Sequence, residues 1–293
     1  MKLKSWAVIA LVFVAIVWGA GFVLMKDAIN DQPVFDFLAT RFTVATIVMI
    51  AIRPQVLSSI NKKTLFRGSI LGVMLGLAYI TQTIGLDLTT AAITGFLTGL
   101  YVVFTPILFW FVFKKKVEKK VIVGTTLALT ALLFISFNGI SFDPGQVWLI
   151  ACALLFAGHI IGLSFWSNAK DIYPLTVIQL GAGSVVCWMG AVPDGYQPPP
   201  NAFVWGTVVF TAVFATAMAF LIQTWAQSIM DPSRVAIILT GEIVFAAAIA
   251  VAVGQEVLSL RTVIGGVLIV LAMLIVEWPD KKSNSPLDQP HFT

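Results

Sequence analysis

The sequence predicts an all-α integral membrane protein, with ten transmembrane helices arranged as two inverted five-helix repeats. Three observations carry that expectation. The 293 residues are 59% hydrophobic and only 11% charged, with a mean hydropathy of +0.96. The chain divides into apolar runs, each long enough to span a bilayer. A faint internal repeat relates the two halves, and its second copy enters the membrane from the other side. Soluble domains carry roughly 25% charged residues, and about 20 apolar residues cross the roughly 30 Å hydrocarbon core as a helix. Little of the chain is left over for a soluble domain.

The runs lie at about 6–25, 34–52, 66–85, 91–113, 118–138, 147–166, 173–192, 203–227, 233–253 and 258–276. Turn-forming and charged residues separate them: DQP at 31–33, NKK at 61–63, KKKVEKK at 114–120, DPG at 143–145, PDGYQPPP at 193–200 and DPS at 231–233. The weakest separator is GQEVLSLR at 254–261. Lys2 and Lys4 precede the first run as they would in a secretory signal. That run ends in WGAGFVLMKDA without a clear small-residue cleavage site, however, so it reads as an anchor retained as the first span.

Charge sets the orientation. With a cytoplasmic N-terminus, the 18 Lys and Arg residues all fall on the inner side except Lys26 and Arg261 outside and Arg41 within span two. The positive-inside rule then places both termini in the cytoplasm and the chain in the cell's inner (plasma) membrane. The formal charge of +4 thus reports topology and gives no reason to expect a nucleic-acid partner. Cys152 and Cys187 both fall near the outer ends of their spans, where a contact is feasible; apolar flanks make packing the plainer role.

Residues 91–132 can be laid over 233–274 without a gap. Leu97-Thr98-Gly99 then falls on Leu239-Thr240-Gly241, Val121-Ile122 on Val263-Ile264, and Gly124 on Gly266. Each half holds five spans, and an odd number reverses the second. The expected units are 1–140 and 141–278, followed by a polar cytoplasmic tail, 279–293. Inverted repeats of this kind are the usual architecture of secondary transporters, with the binding site near the midplane at the repeat interface.

Specific stretches strengthen this reading. VWGAGFVLMKDAINDQPVFDFLATRF (17–42) resembles the first two spans of the drug/metabolite transporter (DMT) superfamily, in particular its EamA-type exporters. GLDLTTAAITGFLTGLYVVFTPI (85–107) is similar to that family's third-to-fourth span segment. TGEIVFAAAIAVAVGQEVLSLRTVIGGVLIVLAMLIVE (240–277) resembles the end of its second repeat. The resemblance implies ten helices of the DMT/EamA fold, alternating access, and a cavity lined mainly by spans one, three, four, six, eight and nine. It also implies export of amino acids, related small metabolites or drugs, by proton coupling or down the solute's own gradient. Two positions depart from the family pattern. Ile243 stands where Pro often follows the glutamate, which weakens the case for a discontinuous ninth helix. The first half carries Lys114-Lys115-Lys116 where the second has Glu256.

Polar groups inside the membrane are the candidates for function. A carboxylate at a helix centre costs about 2.5–3.5 kcal/mol and usually faces the bundle interior. Glu242, about ten residues into span nine, reads as a proton carrier or a partner to a cationic solute group, with a structural hydrogen bond as the plain alternative. His159 in span six is either a solute or proton ligand or a neutral core histidine. Span four carries Thr94, Thr98, Tyr101 and Thr105 on one helix face, and span eight carries Thr216, Phe220, Gln223 and Gln227. With Trp18, Tyr79 and Gln82, these residues suit a mostly apolar site holding a few orienting polar groups. The substrate-binding expectation rests on Trp18, Tyr79, Gln82, Thr98, Tyr101, His159, Gln223 and Glu242. Arg41 in span two could attract an anionic solute, but the lining that the resemblance implies leaves span two out, so snorkelling or an ion pair with Asp36 is the expectation. Gly68, Gly72 and Gly76 form two GxxxG steps, read as static close packing. Trp6, Trp148, Trp205 and Trp278 read as interfacial anchors.

The chain lacks a G-x-x-x-x-G-K-[ST] loop, so it does not drive transport by ATP in the usual form. It also lacks a nucleophile elbow and an HExxH pair. His159 and the tail residue His291 cannot assemble a usual metal site, and no cofactor or catalytic residue is expected. An intramembrane enzyme using His159 and Glu242 as acid and base is the rival class, and a solute sensor of the same fold is a third. The expected partners are a small-molecule substrate, protons and the lipid bilayer. The unit is a monomer or a homodimer.

Overall fold

The computed structural model of this chain describes residues 2–89, 91–114, 116–136, 144–193, 195–254, 257 and 259–278, nearly all of them helical. In chain order the helices are α1 (Lys2–Asp31), α2 (Val34–Ile52), α3 (Lys62–Leu88), α4a (Ala91–Gly99), α4b (Tyr101–Phe113), α5 (Lys119–Ser136), α6 (Pro144–Trp166) and α7 (Ile172–Ala191). There follow α8 (Ala202–Gln227, with an inner segment of its own), α9a (Pro232–Leu239), α9b (Gly241–Ala252) and α10 (Leu260–Glu277). Each expected span therefore finds one helix or one jointed helix. Among the described residues, eight are long and apolar enough to cross a membrane, and Leu97–Phe113 forms a shorter apolar helix. A four-residue helix, Val56–Ser59, joins α2 to α3 and had no sequence signal. Glu256 and the tail 279–293 lie outside the described residues.

The helices start where the turn residues required. Asn61, Asn201, Asp231 and Ser259 are N-caps whose side-chain oxygens accept from the backbone N–H groups of Thr64, Val204, Ser233 and Thr262 at 2.9–3.1 Å. Pro232 follows its cap at the first helical position, where no N–H is needed. At the other end of α4b, Lys114 closes the helix in the left-handed region at φ 54°.

Packing repeats between the halves. α3 lies on α6 as α8 lies on α1, and α4 packs on α6 as α9 packs on α1. The pairs α2–α7 and α5–α10 map onto themselves under the same exchange. Such a pattern is that of two like units related by an approximate two-fold axis.

The GxxxG steps of α3 face α7. A Cβ added at Gly72 would run into the Gln179 carbonyl oxygen and come within 2.6 Å of Ala182 Cβ; one at Gly76 would lie 3.0 Å from Val186 Cβ. Backbone cannot yield there as a flexible side chain can, so close approach is the reason for these glycines. Gly72→Val is expected to cost about 1–3 kcal/mol, the usual range for overpacking. Thermal unfolding in detergent, compared with an exposed glycine such as Gly206, measures it; an unchanged melting temperature would refute this account.

Both jointed helices break at the repeated Leu-Thr-Gly. Leu100 (φ −59°, ψ −12°) and Thr240 (φ −57°, ψ −19°) form the joints. The ninth helix is thus discontinuous although Ile243 occupies the position where a proline was looked for. Gly241 lowers the local helix preference, and the Thr240 hydroxyl donates back to the Ala236 carbonyl at 2.8 Å, a bond that bends helices. In α8 the backbone widens to a π-helix over Val213–Met218. Cys152 and Cys187 are both buried and free, and all four tryptophans read as anchors are exposed.

Candidate functional site

Two buried apolar clusters share the interior. One gathers residues such as Leu11, Val102, Leu132 and Ile237, the other Phe37, Leu75, Leu180 and Val208. Trp18 and Phe156 pack against both. At that seam lies a cavity of about 50 Å³, bounded by α1, α2, α3, α4b, α6, α8, α9a and α9b.

Its wall is largely aromatic. Trp18, Phe22, Tyr79, Tyr101, Phe156 and Phe220 all contribute. Tyr79 is edge-on to Phe156 at 5.5 Å and to Phe220 at 6.2 Å, and Trp18 meets Phe220 at 5.7 Å. The two Tyr79 contacts are edge-to-face and the Trp18 contact is tilted, both favourable ring geometries. The π segment of α8 helps to fix the frame, because the carbonyl of Ala215 within it accepts from Trp18 Nε1–H at 2.8 Å. π-turns of this sort recur at functional sites.

Six of the eight expected solute-binding residues border this cavity: Trp18, Tyr79, Gln82, Tyr101, Gln223 and Glu242. Thr98 and His159 do not. Thr98 is turned towards α6, with Oγ1 3.9 Å from Cys152 Sγ. His159 is fully buried, its Nε2 2.8 Å from Gln179 Oε1, and Gln179 Nε2 donates onward to Thr224 Oγ1 at 3.1 Å. Both polar stripes are thus divided in use: part faces the cavity, and part ties helix to helix. Gln179→Leu is expected to lower stability by about 1–3 kcal/mol, by leaving the buried imidazole without its partner, while solute affinity stays within about twofold. Paired melting and binding measurements test it, and a large affinity loss would return His159 to the site.

The wall is electrostatically uneven. Glu242 sits in the first turn of α9b, directly after the joint, and makes no hydrogen bond or ion pair to another described residue. Gln223 is held by a chain of amides whose sense is fixed from one end. The Ile160 carbonyl can only accept, so Gln227 presents Nε2 to it at 2.6 Å. Gln227 Oε1 then accepts from Gln223 Nε2 at 3.0 Å. This leaves Gln223 Oε1 buried without a partner, while the Tyr101 hydroxyl faces the Thr240 side chain without a hydrogen bond of good geometry to it.

Sequence reasoning placed Arg41 outside the cavity; the structure places it in the wall. Asp36 does not pair with it, since Asp36 Oδ2 accepts the backbone N–H of Gln197 at 3.0 Å. Arg41 instead lies over the Tyr79 ring, 4.7 Å from its centroid, and donates from Nε to Thr216 Oγ1 at 2.7 Å. The π segment supplies that threonine, a link no periodicity count could anticipate. Among the described residues, no group of three or more His, Cys, Asp or Glu is placed to hold a metal ion.

The sequence profile of the EamA-like transporter family matches this chain twice, over residues 5–137 and 143–278. The chain belongs to the EamA-like transporter family. It is therefore a multi-pass membrane transporter acting on a small-molecule substrate. Among curated proteins it is similar to a protein of Archaeoglobus fulgidus named "Uncharacterized transporter", at 34% identity over 274 residues, which is 93% of this chain and 86% of that one. It is also similar to "Uncharacterized transporter YetK" of Bacillus subtilis (strain 168), at 24% identity over 237 residues, 75% of this chain and 71% of that one. A solved structure titled "Crystal structure of protein" superposes with a TM-score of 0.78 at 16% identity, over 93% of this chain and 96% of the other. That likeness speaks for the EamA fold alone.

Proposed function

We propose that this EamA-family protein is a secondary transporter of the inner (plasma) membrane that exports small metabolites by alternating access, coupled to protons through Glu242. The carrying observation is the central cavity, walled by helices from both halves, with one carboxylate unclaimed by the protein. Ring faces and a few polar groups suit a small, partly apolar organic solute such as an amino acid, a related compound or a drug. A carboxyl group facing such a cavity can take up a proton on one side of the membrane and release it on the other. In this reading the repeats are 1–140 and 141–278, in accord with the two family matches, and 279–293 is a polar tail. The distribution of Lys and Arg supports both termini on the cytoplasmic side. Membership of a transporter family supports reading the chain as a transporter and not as an enzyme.

Growth of cells expressing the wild type or Glu242→Gln, at matched protein levels, tests the proposal against toxic amino acids, amino-acid analogues and cationic drugs. Wild-type protection against one class, lost in the amide, is expected. Equal protection by both would make Glu242 structural and the protein an uncoupled facilitator. Protection by neither would remove export and bring import or sensing forward.

A further inference from the structure

The positive charge on the cavity wall forms no ion pair with a described residue. Arg41 is 3% exposed, and among the described residues no carboxylate lies within ion-pair distance of it. Its bond to Thr216 is short, but its remaining contacts are loose: the Ala215 carbonyl at 3.4 Å, the Tyr79 hydroxyl at 3.5 Å and Met25 Sδ at 3.7 Å. These stand at or past the outer limit of a good hydrogen bond. A buried guanidinium left in this condition inside a membrane is costly, and the Tyr79 ring offsets only part of that. Its two terminal nitrogens, held only by these long contacts, form a planar fork that fits a carboxylate with two parallel bonds.

The same wall holds three oxygen-bearing groups without a well-formed hydrogen bond: the Glu242 carboxylate, Gln223 Oε1 and the Tyr101 hydroxyl, the last two 2% and 4% exposed by residue. A primary ammonium brings three N–H donors and no acceptor. One fixed cation, one fixed anion and an aromatic lining together describe a zwitterion with an apolar remainder.

Resting on the transporter reading above, we propose that Arg41 is the carboxylate-binding group of the cavity and that the solute is an amino-acid-like zwitterion, its ammonium held by Glu242, Gln223 and Tyr101. The assignment makes α2 a solute-binding helix. It also gives the π-turn a role through Thr216: the short bond aims the fork, while only long contacts hold its other edge.

The test is thermal stabilisation of the purified full-length protein by each of the common amino acids. For the one that stabilises most, its methyl ester and its decarboxylated amine are then compared, since a ligand of the folded state raises the melting temperature with its affinity. The free acid is expected to bind at least about 30-fold more tightly than the ester or the amine, the lower end of what an unpaired buried charge costs. Arg41→Gln should lose that margin and treat acid and ester alike; Arg41→Lys, which keeps the charge without the fork, should recover part of it. Should Arg41→Gln not fold, Thr216→Val must still weaken the acid more than the ester. Stabilisation by no amino acid, equal binding of acid and ester, or a margin that survives in Arg41→Gln or Thr216→Val would overturn the assignment. Flux of the same compounds into sealed vesicles separates the two readings. Transport of the amine or ester without the acid sinks the Arg41 assignment and leaves a transporter. Arg41-dependent binding without flux does the reverse.

Discussion

Glu242→Gln will abolish accumulation driven by a pH gradient while leaving solute exchange in place. One unit of pH difference across a sealed vesicle is worth about 1.4 kcal/mol per proton, which sustains about a tenfold solute gradient at one proton per solute. Wild-type protein in vesicles with such a difference should build that gradient. The amide has nearly the same shape and cannot take up a proton, so the variant should come to rest at equal concentrations. It should still swap labelled for unlabelled solute, at a higher half-saturating concentration. The titratable and charged neighbours are Tyr79, Tyr101 and Cys152 among the groups that interact with the carboxylate, and Arg41 elsewhere on the wall. None of them is a second carboxyl able to take over the task. A gradient that persists undiminished in Glu242→Gln would show that the proton travels by another route.

Gly19→Leu is expected to remove solute binding altogether. A Cβ at Gly19 would stand 2.6 Å from the Ala246 backbone nitrogen and 2.9 Å from the Glu242 carbonyl oxygen, so α1 and α9b touch backbone to backbone at this residue. The carbonyl belongs to the residue whose side chain faces the cavity, and the neighbour of Gly19 is Trp18. Any larger side chain must push the two helices apart, and the displacement falls on both walls of the site at once. The cost in stability should stay near the 1–3 kcal/mol of ordinary overpacking, whereas affinity should drop beyond measurement. Gly19→Ala should fall between the two. Comparing melting temperature with binding of the best-stabilising amino acid settles it, and a stability loss without an affinity loss would place the contact outside the working part of the protein.

Much of this architecture is legible without coordinates because the bilayer writes it into the chain. A helix must supply about 20 apolar residues to cross, so its existence and approximate ends show as hydropathy, with caps such as Asn61 and Asp231 marking the starts. What hydropathy does not encode is rotation. The family resemblance implies a lining without span two, and α2 carries no facial signal strong enough to correct that, so Arg41 is expected in the wrong surroundings. The polar stripes of α4 and α8 are visible as stripes, yet hydroxyls and amides serve equally well in tying helices together. Thr98 and His159 belong to that second use, while Tyr101 and Gln223 belong to the first. Depth was easier, since the position of Glu242 along its span needed only counting. The interruption of α9 was harder, because a threonine bonding back to its own helix ahead of a glycine performs the work expected of a proline.

The π segment at Val213–Met218 governs more than one carbonyl. An α-helix advances by about 100° per residue, so a turn holding one residue more than usual re-phases everything after it by that angle. Phe220 and Gln223 border the cavity, and Gln227 reaches Ile160, in the phase that follows this segment. Removing a single residue between 213 and 218 would restore an ordinary helix and swing another set of side chains inward. For α8, the chemistry shown to the solute is therefore controlled by length as well as by composition. A one-codon deletion could change what this protein carries more abruptly than any single substitution in its wall.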